Sequence, residues 1–451
     1  MKRLHPLSAE TTCLTCRIWL CILTVSMILC ITPCTVLSEP FDLVFGPSLR
    51  RLEAFDEGGP LSIYGFAYRI CGFLLLYLLI RYVHVRVGTK SASAFTNLGD
   101  AACFLGLLYL INGFTSPSNH LDFSCCWWPF FVLSSFFIVI LYLNSQYSFL
   151  LVAALIAVIT VQEAYAVVYH LLTIKQFFTP HFGNRTSGTF DSPNALYPLC
   201  LCNIPIALAL IRTNLGRPWR WLFRVSAALG LLTLFWTYTR AGWMSVSIAL
   251  IYLSVWQTGP RVRNYQTLLR LIALTLLCGA IFIRTNGNIL GNGEDRSAWG
   301  RIAIWQVAGR ASLDHPVFGM GLGSYYKVQN HFMTPRLAGF NPRNAEAKSL
   351  YLNTCVELGF VGAFSVILFG WRYSQMLRLA VDCVSDRYML SVVSGIHAVL
   401  IAFCLAGLVD TPILQSSRVP STLSFFLLAG AAFNIVGSHG RSGSAGFGED
   451  I

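Results

Sequence analysis

The stretch NAEAKSLYLNTCVELGFVG, residues 344–362, changes from a polar segment to an apolar helix within a few residues. Its polar part carries Glu346 and Lys348, and its apolar part contains Glu357 beside two glycines. An apolar segment of this kind is typical of a helix that enters a membrane. A carboxylate inside such a helix is unfavourable unless it has a polar partner or a function.

Apolar segments like this one recur along the whole chain, and the composition agrees with them. Hydrophobic residues make up 55% of the sequence and charged residues only 12%, whereas a soluble domain carries roughly 25% charge. The sequence therefore predicts an all-α integral membrane protein. The net charge of +12 lies largely in short loops between apolar segments, a pattern typical of positive-inside orientation and not of nucleic-acid binding. No Cys/His spacing indicates a metal site.

The apolar segments predict about twelve transmembrane helices. They cover residues 17–37, 61–84, 95–114, 126–143, 147–172, 195–212, 221–239, 241–257, 266–283, 349–369, 389–410 and 421–436. The first segment lacks a small-residue cleavage site, so we interpret it as a retained anchor. Positive charge in alternate loops then predicts that both termini are cytoplasmic.

These helices divide the chain into four parts. They are an N-terminal transmembrane region (1–283), a large periplasmic catalytic loop (284–348), a C-terminal transmembrane region (349–436) and a disordered cytoplasmic tail (437–451). The loop holds eight lysines and arginines against four acidic residues. Because positive charge outside the membrane opposes the orientation rule, the loop is a candidate anion site. Its stretch RSAWGRIAIWQVAGRASL predicts a helix near the membrane interface.

Two arginines stand out at the predicted outer surface. Arg240, in FWTYTRAGWMSV, lies between two apolar segments with almost no connector. A charge there marks a functional site, although contact with lipid headgroups is the alternative. Arg301 shares a helical face with Trp305, which suits a membrane anchor as well as a site. Arginine donates two parallel hydrogen bonds to phosphate, so a lipid-linked phosphate is the expected ligand.

Three further stretches resemble motifs of the O-antigen ligase and polymerase superfamily. TYTRAGW, residues 237–243, resembles its S-R-G-x-W motif. GRIAIWQVAGRASLDHPVFGMGLGSYY, residues 300–326, resembles its outer-loop pattern of Arg, Trp four residues on, then H-P-x-x-G-x-G-x-G. GTFDSPNAL, residues 188–196, resembles its G-T-F-x-x-P-N segment.

The opening stretch resembles the next motif of that superfamily, in which His-Asn or His-Ser is followed by nine residues and then G-x-x-G. Here Ser349, Gly359 and Gly362 have this spacing, with Lys348 in the position of the histidine. The resemblance covers roughly residues 185–410.

The resemblance implies a GT-C-like glycosyltransferase of the bacterial inner membrane, with a periplasmic, metal-independent site and no cofactor. Such enzymes transfer a glycan from undecaprenyl-pyrophosphate to an acceptor hydroxyl. The acceptor is lipid A-core in ligases, another carrier-linked unit in polymerases, and a protein side chain in pilin-glycosylating members. The motif positions assign Arg240, Arg301 and Lys348 as catalytic residues, with the arginines stabilising the departing pyrophosphate.

Lys348 departs from the family pattern. A histidine could accept the acceptor's proton, whereas a lysine, with an ordinary pKa of about 10.4, is normally protonated. Lys348 is then a base with a lowered pKa, or a third phosphate clamp, which we favour, or the mark of a diverged, inactive member. In the clamp case the proton leaves through Glu346, His331 or water. The further candidates for substrate binding are Arg310, His331, Arg343, Glu346 and Asn194.

The remaining intramembrane polar groups predict structural pairing. Glu357 is expected to hydrogen-bond a neighbouring helix, and the same holds for Asp100, Glu163, His397 and Asp410. A secondary transporter or lipid flippase is the rival class. Its usual internal repeat is not evident, and the charged cluster lies outside the membrane instead of at mid-depth. The sequence therefore favours the enzyme.

Overall fold

The computed structural model describes fourteen stretches of the chain, and all statements below concern them. They are residues 18–19, 22, 63–88, 94–115, 123–173, 185–190, 192–211, 213, 215–256, 263–289, 296–334, 346–383, 386–414 and 418–444. Every extended regular element within these residues is a helix. The helices with defined bounds are α1 (Ile63–Gly88), α2 (Ala94–Thr115), α3 (Phe123–Tyr142), α4 (Ser145–Thr173), α5 (Pro193–Leu210), α6 (Arg217–Thr237), α7 (Arg240–Trp256), α8 (Arg263–Ile289), α9 (Arg296–Asp314), α10 (Tyr325–Val328), α11 (Leu350–Cys383), α12 (Arg387–Val409) and α13 (Val419–Ser444).

The predicted segments two to twelve each coincide with one helix, namely α1 to α8 and α11 to α13. Most of the first predicted segment lies outside the described residues. Among the described helices, five are long and apolar enough to cross a membrane: α4, α5, α11, α12 and α13. Within the described residues, the structure thus confirms a helical fold with several candidate membrane-spanning helices, and the number twelve stays a prediction.

The predicted helix in the 284–348 loop is confirmed as α9, and α10 is a second, short helix there. The last helix differs from the expectation of disorder from residue 437, because α13 continues to Ser444. The residues beyond it lie outside the described part of the chain.

Helix α5 occupies the centre of the fold. Sixteen consecutive residues, Ala195–Leu210, are buried, as expected for a helix that is apolar on all sides. It packs against α6, α7, α12 and α13. At the periphery, α1 exposes Ile70, Phe73, Tyr77 and Ile80 along one face, which suits contact with lipid in a membrane protein.

Helix α11 is broken inside the family-like motif of the opening stretch. Gly359 has φ 69° and ψ −172°, a conformation available essentially to glycine alone. The carbonyls of Val356 and Glu357, just before the break, accept hydrogen bonds from the N–H groups of Met320 (2.8 Å) and Gly321 (3.0 Å). A loop outside the helix therefore supplies partners for the backbone groups that the break leaves open.

That loop carries the three glycines of the H-P-x-x-G-x-G-x-G pattern, and all three have positive φ: Gly319 at 71°, Gly321 at 107° and Gly323 at 67°. A Cβ added to Gly359 would lie 2.1 Å from the Val317 carbonyl oxygen. A Cβ on Gly319 would lie 2.5 Å from the Glu357 carbonyl oxygen. The motif thus encodes a close crossing of two backbones, which we call the glycine crossing.

Asn112 of α2 holds the glycine crossing together. Its Nδ2 donates to the carbonyls of Phe318 (2.9 Å) and Glu357 (3.2 Å), and its Oδ1 accepts from the N–H of Leu322 (3.1 Å). The crossing fixes the loop after α9 to α11, and thereby fixes α9 relative to the segment that carries Lys348.

The predicted structural pairing of intramembrane polar groups is confirmed. Each group contacts a neighbouring helix: Asp100 with Tyr82 (3.0 Å), Glu163 with Asn203 (2.6 Å), His397 with Tyr252 (2.6 Å) and Ser374 (3.0 Å), and Asp410 with Tyr197 (3.0 Å). Glu357 departs from this expectation in its side chain alone, because its main-chain carbonyl does accept a hydrogen bond from Asn112 of α2 (3.2 Å). Its carboxylate accepts from Asn353 of its own helix and from the Gly323 N–H of the crossing, not from a neighbouring transmembrane segment.

Candidate functional site

Arg185 lies in the short segment before α5 and makes three hydrogen bonds. Its Nε donates to the Thr237 carbonyl (2.7 Å), and its Nη2 donates to Asn194 Oδ1 (3.1 Å) and Thr239 Oγ1 (3.0 Å). All three acceptors are neutral, so they orient the guanidinium without cancelling its charge. A fixed, uncancelled guanidinium is suited to an anionic ligand.

The TYTRAGW motif forms the sharp turn between α6 and α7. Tyr238 ends α6 with φ 48°, and Arg240 begins α7 directly after Thr239. A Cβ on Gly242 would lie 2.9 Å from both Leu234 and Tyr197, so α7 packs closely here. The Trp243 indole N–H donates to the Leu234 carbonyl at 2.8 Å. The motif therefore fixes the end of α7 that carries Arg240.

Arg240 and Arg301, from separate parts of the chain, both lie within electrostatic reach of Arg185. Burial lowers the pKa of Arg185, and the positive charges of Arg301 and Arg240 lower this pKa further, while the Asp410 carboxylate acts in the opposite direction. We call Arg185, Arg240 and Arg301 the arginine group. Like charges repel, so a fold that gathers three cations favours an anion between them.

Arg301 reaches this position through the packing of α9. One face of α9 is buried against the 346–349 segment, α10 and α11, through Ala303, Ile304, Val307, Ala308 and Ala311. One turn after Arg301, the Trp305 indole N–H donates to the Lys348 carbonyl at 3.1 Å. Arg301 and Lys348 are therefore brought to one region by the shared helical face that the sequence indicates.

Lys348 belongs to a second cationic group. Its Nζ lies 2.5 Å from Glu346 Oε1, and Arg418 Nη2 lies 3.5 Å from the same oxygen. We call these three residues the lysine–glutamate–arginine group. The side chains of Lys348, Glu346 and Arg418 are 18%, 6% and 2% exposed, so Lys348 is the most accessible of the three and Arg418 the most deeply buried. Lys348 has φ 50°, a left-handed conformation in which asparagine, aspartate and histidine are more common than lysine.

Asp410 and Tyr197 lie between the two groups. The Tyr197 hydroxyl donates to Asp410 Oδ2 at 3.0 Å, and the Thr411 N–H donates to Oδ1 at 2.9 Å. Asp410 acts on Arg185 electrostatically, and Tyr197 lies in the field of Arg418 and Glu346. The carboxylate therefore connects the arginine group with the lysine–glutamate–arginine group.

The structure brings five predicted site residues into this region and separates two others from it. The five are Arg240, Arg301, Lys348, Glu346 and Asn194. Arg310 is exposed on the face of α9 opposite to Arg301, and His331 is exposed with its ring against Phe332. Neither contacts the region within the described residues. Arg343 lies outside those residues.

Two residues of the region were missed by sequence reasoning. Arg185 directly precedes the G-T-F-like stretch, and Arg418 stands alone at the entrance of the last apolar segment. Arg418 shows the same signal that identified Arg240, namely an arginine at the entrance of an apolar helix. Arg185 has no comparable signal, because it lies in a loop.

An apolar cavity of about 400 Å³ lies next to the region, between α11, α12 and α13. Leu350, Ile413 and Leu414 line it at the end close to Lys348 and Asp410, and Trp371 and Ser374 line it further along α11. The Leu350 N–H donates to the Asp410 carbonyl at 3.1 Å. The cavity and the charged region therefore share a boundary.

A protein-family model described as O-antigen ligase matches residues 225–367. The match runs from α6 into α11 and includes Arg240, Arg301, Lys348 and the glycine crossing, whereas Arg185, Asn194 and Arg418 lie outside it. No curated protein matches the chain. The motifs, the geometry and this match agree: residues 225–367 are an O-antigen ligase family domain, within a helical chain that has several candidate membrane spans.

Proposed function

We propose that this protein transfers a glycan from an undecaprenyl-pyrophosphate carrier to an acceptor hydroxyl at the periplasmic face of the bacterial inner membrane. The observation that carries the proposal is the gathering of Arg185, Arg240 and Arg301 beside the segment of Lys348. The positive-inside charge pattern supports periplasmic placement of this region and cytoplasmic placement of both termini.

Glycan transfer from a pyrophosphate carrier is accelerated by cations beside the leaving group. As the acceptor oxygen bonds to the glycosidic carbon, the bond to the pyrophosphate breaks, negative charge develops on the pyrophosphate oxygens, and the hydroxyl proton passes to Glu346 or to water. Guanidinium groups held in advance at that place stabilise this charge and need no metal or cofactor. The hydrogen bonds from Arg185 to Thr237, Asn194 and Thr239 support such preorganisation.

The ion pair of Lys348 with Glu346 supports a role as phosphate clamp. Lys348 Nζ lies 2.5 Å from Glu346 Oε1 in an ion pair, and a protonated amine cannot accept a proton. Lys348 then adds a further cation from the segment that Trp305 of α9 contacts. Arg310 and His331 lie away from this region and Arg343 lies outside the described residues, so their substrate-binding roles stay predictions.

The apolar cavity supports a lipid-linked donor. It begins beside the charged region at Leu350 and Leu414 and has an almost entirely apolar lining. A carrier with a diphosphate headgroup and a long hydrocarbon chain needs this combination of adjacent cations and apolar surface. The bilayer is the second lipid partner.

The family name favours a ligase in lipopolysaccharide or surface polysaccharide assembly. A polymerase of O-antigen, capsule or exopolysaccharide units uses the same donor chemistry and differs in its acceptor. Reconstitution of the full chain with a carrier-linked glycan separates them. Product on lipid A-core indicates a ligase, and product on a second carrier-linked unit indicates a polymerase. Carrier movement between leaflets without a covalent product would identify a transporter or flippase and overturn the proposal.

A further inference from the structure

Arg418 is buried directly before α13, and among the described residues its ion-pair partner is Glu346. Its Nη2 reaches Glu346 Oε1 at 3.5 Å, the limit of a hydrogen bond. Within the described part of the chain, Nε and Nη1 have no hydrogen-bond partner, and neither has Glu346 Oε2. Unpaired buried donors and acceptors are unfavourable, so this arrangement calls for an explanation.

The unpaired atoms are complementary to each other. An arginine and a carboxylate can form two parallel hydrogen bonds, a stronger arrangement than a single contact. Here Lys348 Nζ holds Glu346 Oε1 at 2.5 Å, so the carboxylate faces the lysine. Arg418 Nε and Nη1 and Glu346 Oε2 are thus available within the described residues to complete a pair with two parallel hydrogen bonds. At present this pair has a single contact, between Nη2 and Oε1.

We propose that Arg418 is a positioning residue. When Lys348 leaves Glu346 to bind the diphosphate of the lipid-linked donor, Arg418 forms the full ion pair with Glu346 in its place. This inference rests on the proposed function. Without a second cation, the departure of Lys348 would leave Glu346 as an isolated buried anion beside an incoming anion. The unpaired buried charge and its repulsion of the diphosphate both oppose donor binding. Pairing of the Glu346 carboxylate with Arg418 removes both costs.

The geometry argues against direct phosphate binding by Arg418. Its side chain is 2% exposed and lies behind Glu346. Its carbonyl accepts hydrogen bonds from Thr422 Oγ1 (2.8 Å) and Ser421 Oγ (3.0 Å), which fix the backbone at the start of α13. Arg418 therefore acts on the donor through Glu346 and Lys348.

The test measures binding of undecaprenyl pyrophosphate to the purified full chain in lipid nanodiscs. The variants are Arg418→Lys, Glu346→Gln and the double variant. Arg418→Lys keeps the charge but loses the fork, and we expect it to weaken binding about tenfold. Glu346→Gln removes the anion that Arg418 must hold, so in that background Arg418→Lys should change binding less than about twofold. Monodisperse elution and a melting curve check that each variant is folded.

Three results would overturn the inference. The first is wild-type affinity in Arg418→Lys. The second is an equal loss of about tenfold from Arg418→Lys with and without Glu346→Gln, which would show direct phosphate contact. The third is no carrier binding by the wild-type protein, which would remove the proposed function and this inference together. The first two leave the proposed function standing.

Discussion

The arginine group and the lysine–glutamate–arginine group differ in how their charge is balanced. Arg185 is oriented by a carbonyl, an amide and a hydroxyl, and its nearest described carboxylate, Asp410, acts only through the electrostatic field. Lys348 and Arg418, by contrast, share one carboxylate oxygen. Arg185 therefore keeps its positive charge for a ligand, whereas the lysine–glutamate–arginine group neutralises much of its own.

This difference indicates that the two groups have different roles in ligand binding. Cations held by neutral groups are preorganised, so they can stabilise charge on a ligand without first giving up a partner. A cation that is already paired must exchange its partner to bind anything, which makes it adjustable and sensitive to its neighbours. We therefore expect mutations in the first group to affect transfer directly, and mutations in the second to affect stability as well.

The largest expected effect is a loss of stability, and it concerns the balance of charge within the lysine–glutamate–arginine group. Glu346→Ala leaves Arg418 buried without a counter-charge, and we expect a loss of about 3–5 kcal/mol in the free energy of unfolding. Lys348→Ala leaves Glu346 free to pair fully with Arg418, so its loss should stay below about 1 kcal/mol. Thermal unfolding in detergent measures both. Equal stability of the two variants would show that the carboxylate does not balance Arg418.

Removal of one guanidinium from the arginine group should give the next largest effect. Arg301→Ala or Arg240→Ala should lower the rate of glycan transfer about 100- to 1000-fold, as expected for the loss of one donor to a developing oxyanion. Arg301→Lys should recover only part of this, because it keeps the charge and loses the fork. The measurement is initial rate with a carrier-linked glycan.

Arg224→Ala provides the matched control for the arginine variants. Arg224 is exposed on α6 and lies 5.5 Å from the Trp221 ring centroid, outside the site. Its replacement should leave the transfer rate within about twofold of wild type. A similar small change in Arg301→Ala would show that the arginine group does not hold the leaving group.

The glycine crossing positions both groups, so its disruption should affect them alike. Gly359→Ala forces a Cβ to 2.1 Å from the Val317 carbonyl oxygen at a positive φ. We expect a loss of about 3 kcal/mol or a failure to fold. Gly370→Ala in the same helix meets no atom within 4 Å and should be neutral or slightly stabilising. Melting temperatures in detergent compare the two, and equal values would show that α11 tolerates a side chain at the crossing.

The helices were easier to predict from the sequence than the complete site. Long apolar segments determine helices locally, so segments two to twelve all coincide with helices. Arg240, Arg301 and Lys348 are recognisable because each interrupts a local pattern or a motif. Arg185 and Arg418 are not, because their importance arises only when residues more than a hundred positions from Arg301 fold next to the same region.

The mutual arrangement of the motifs also needed the structure. The spacing of Gly359 and Gly362 matches a pattern, but the pattern does not reveal that α11 breaks there or that Met320 and Gly321 repair the break. Likewise, Glu346 and Lys348 are close in sequence, and only the fold adds Arg418 behind them. Long-range pairing of this kind is a tertiary property that composition and periodicity do not contain.

The smallest expected effect concerns the role of Lys348 itself. Histidine accepts the φ of 50° more readily than lysine, so Lys348→His should fold normally. Its imidazole is protonated below a pKa of about 6.5, or somewhat higher beside Glu346. If position 348 clamps phosphate, this variant loses its cation as the pH rises, and its transfer rate should fall several-fold between about pH 6 and 8 relative to wild type. A rate that rises over the same interval would instead identify position 348 as the proton acceptor, because only the neutral imidazole can take a proton from the acceptor hydroxyl.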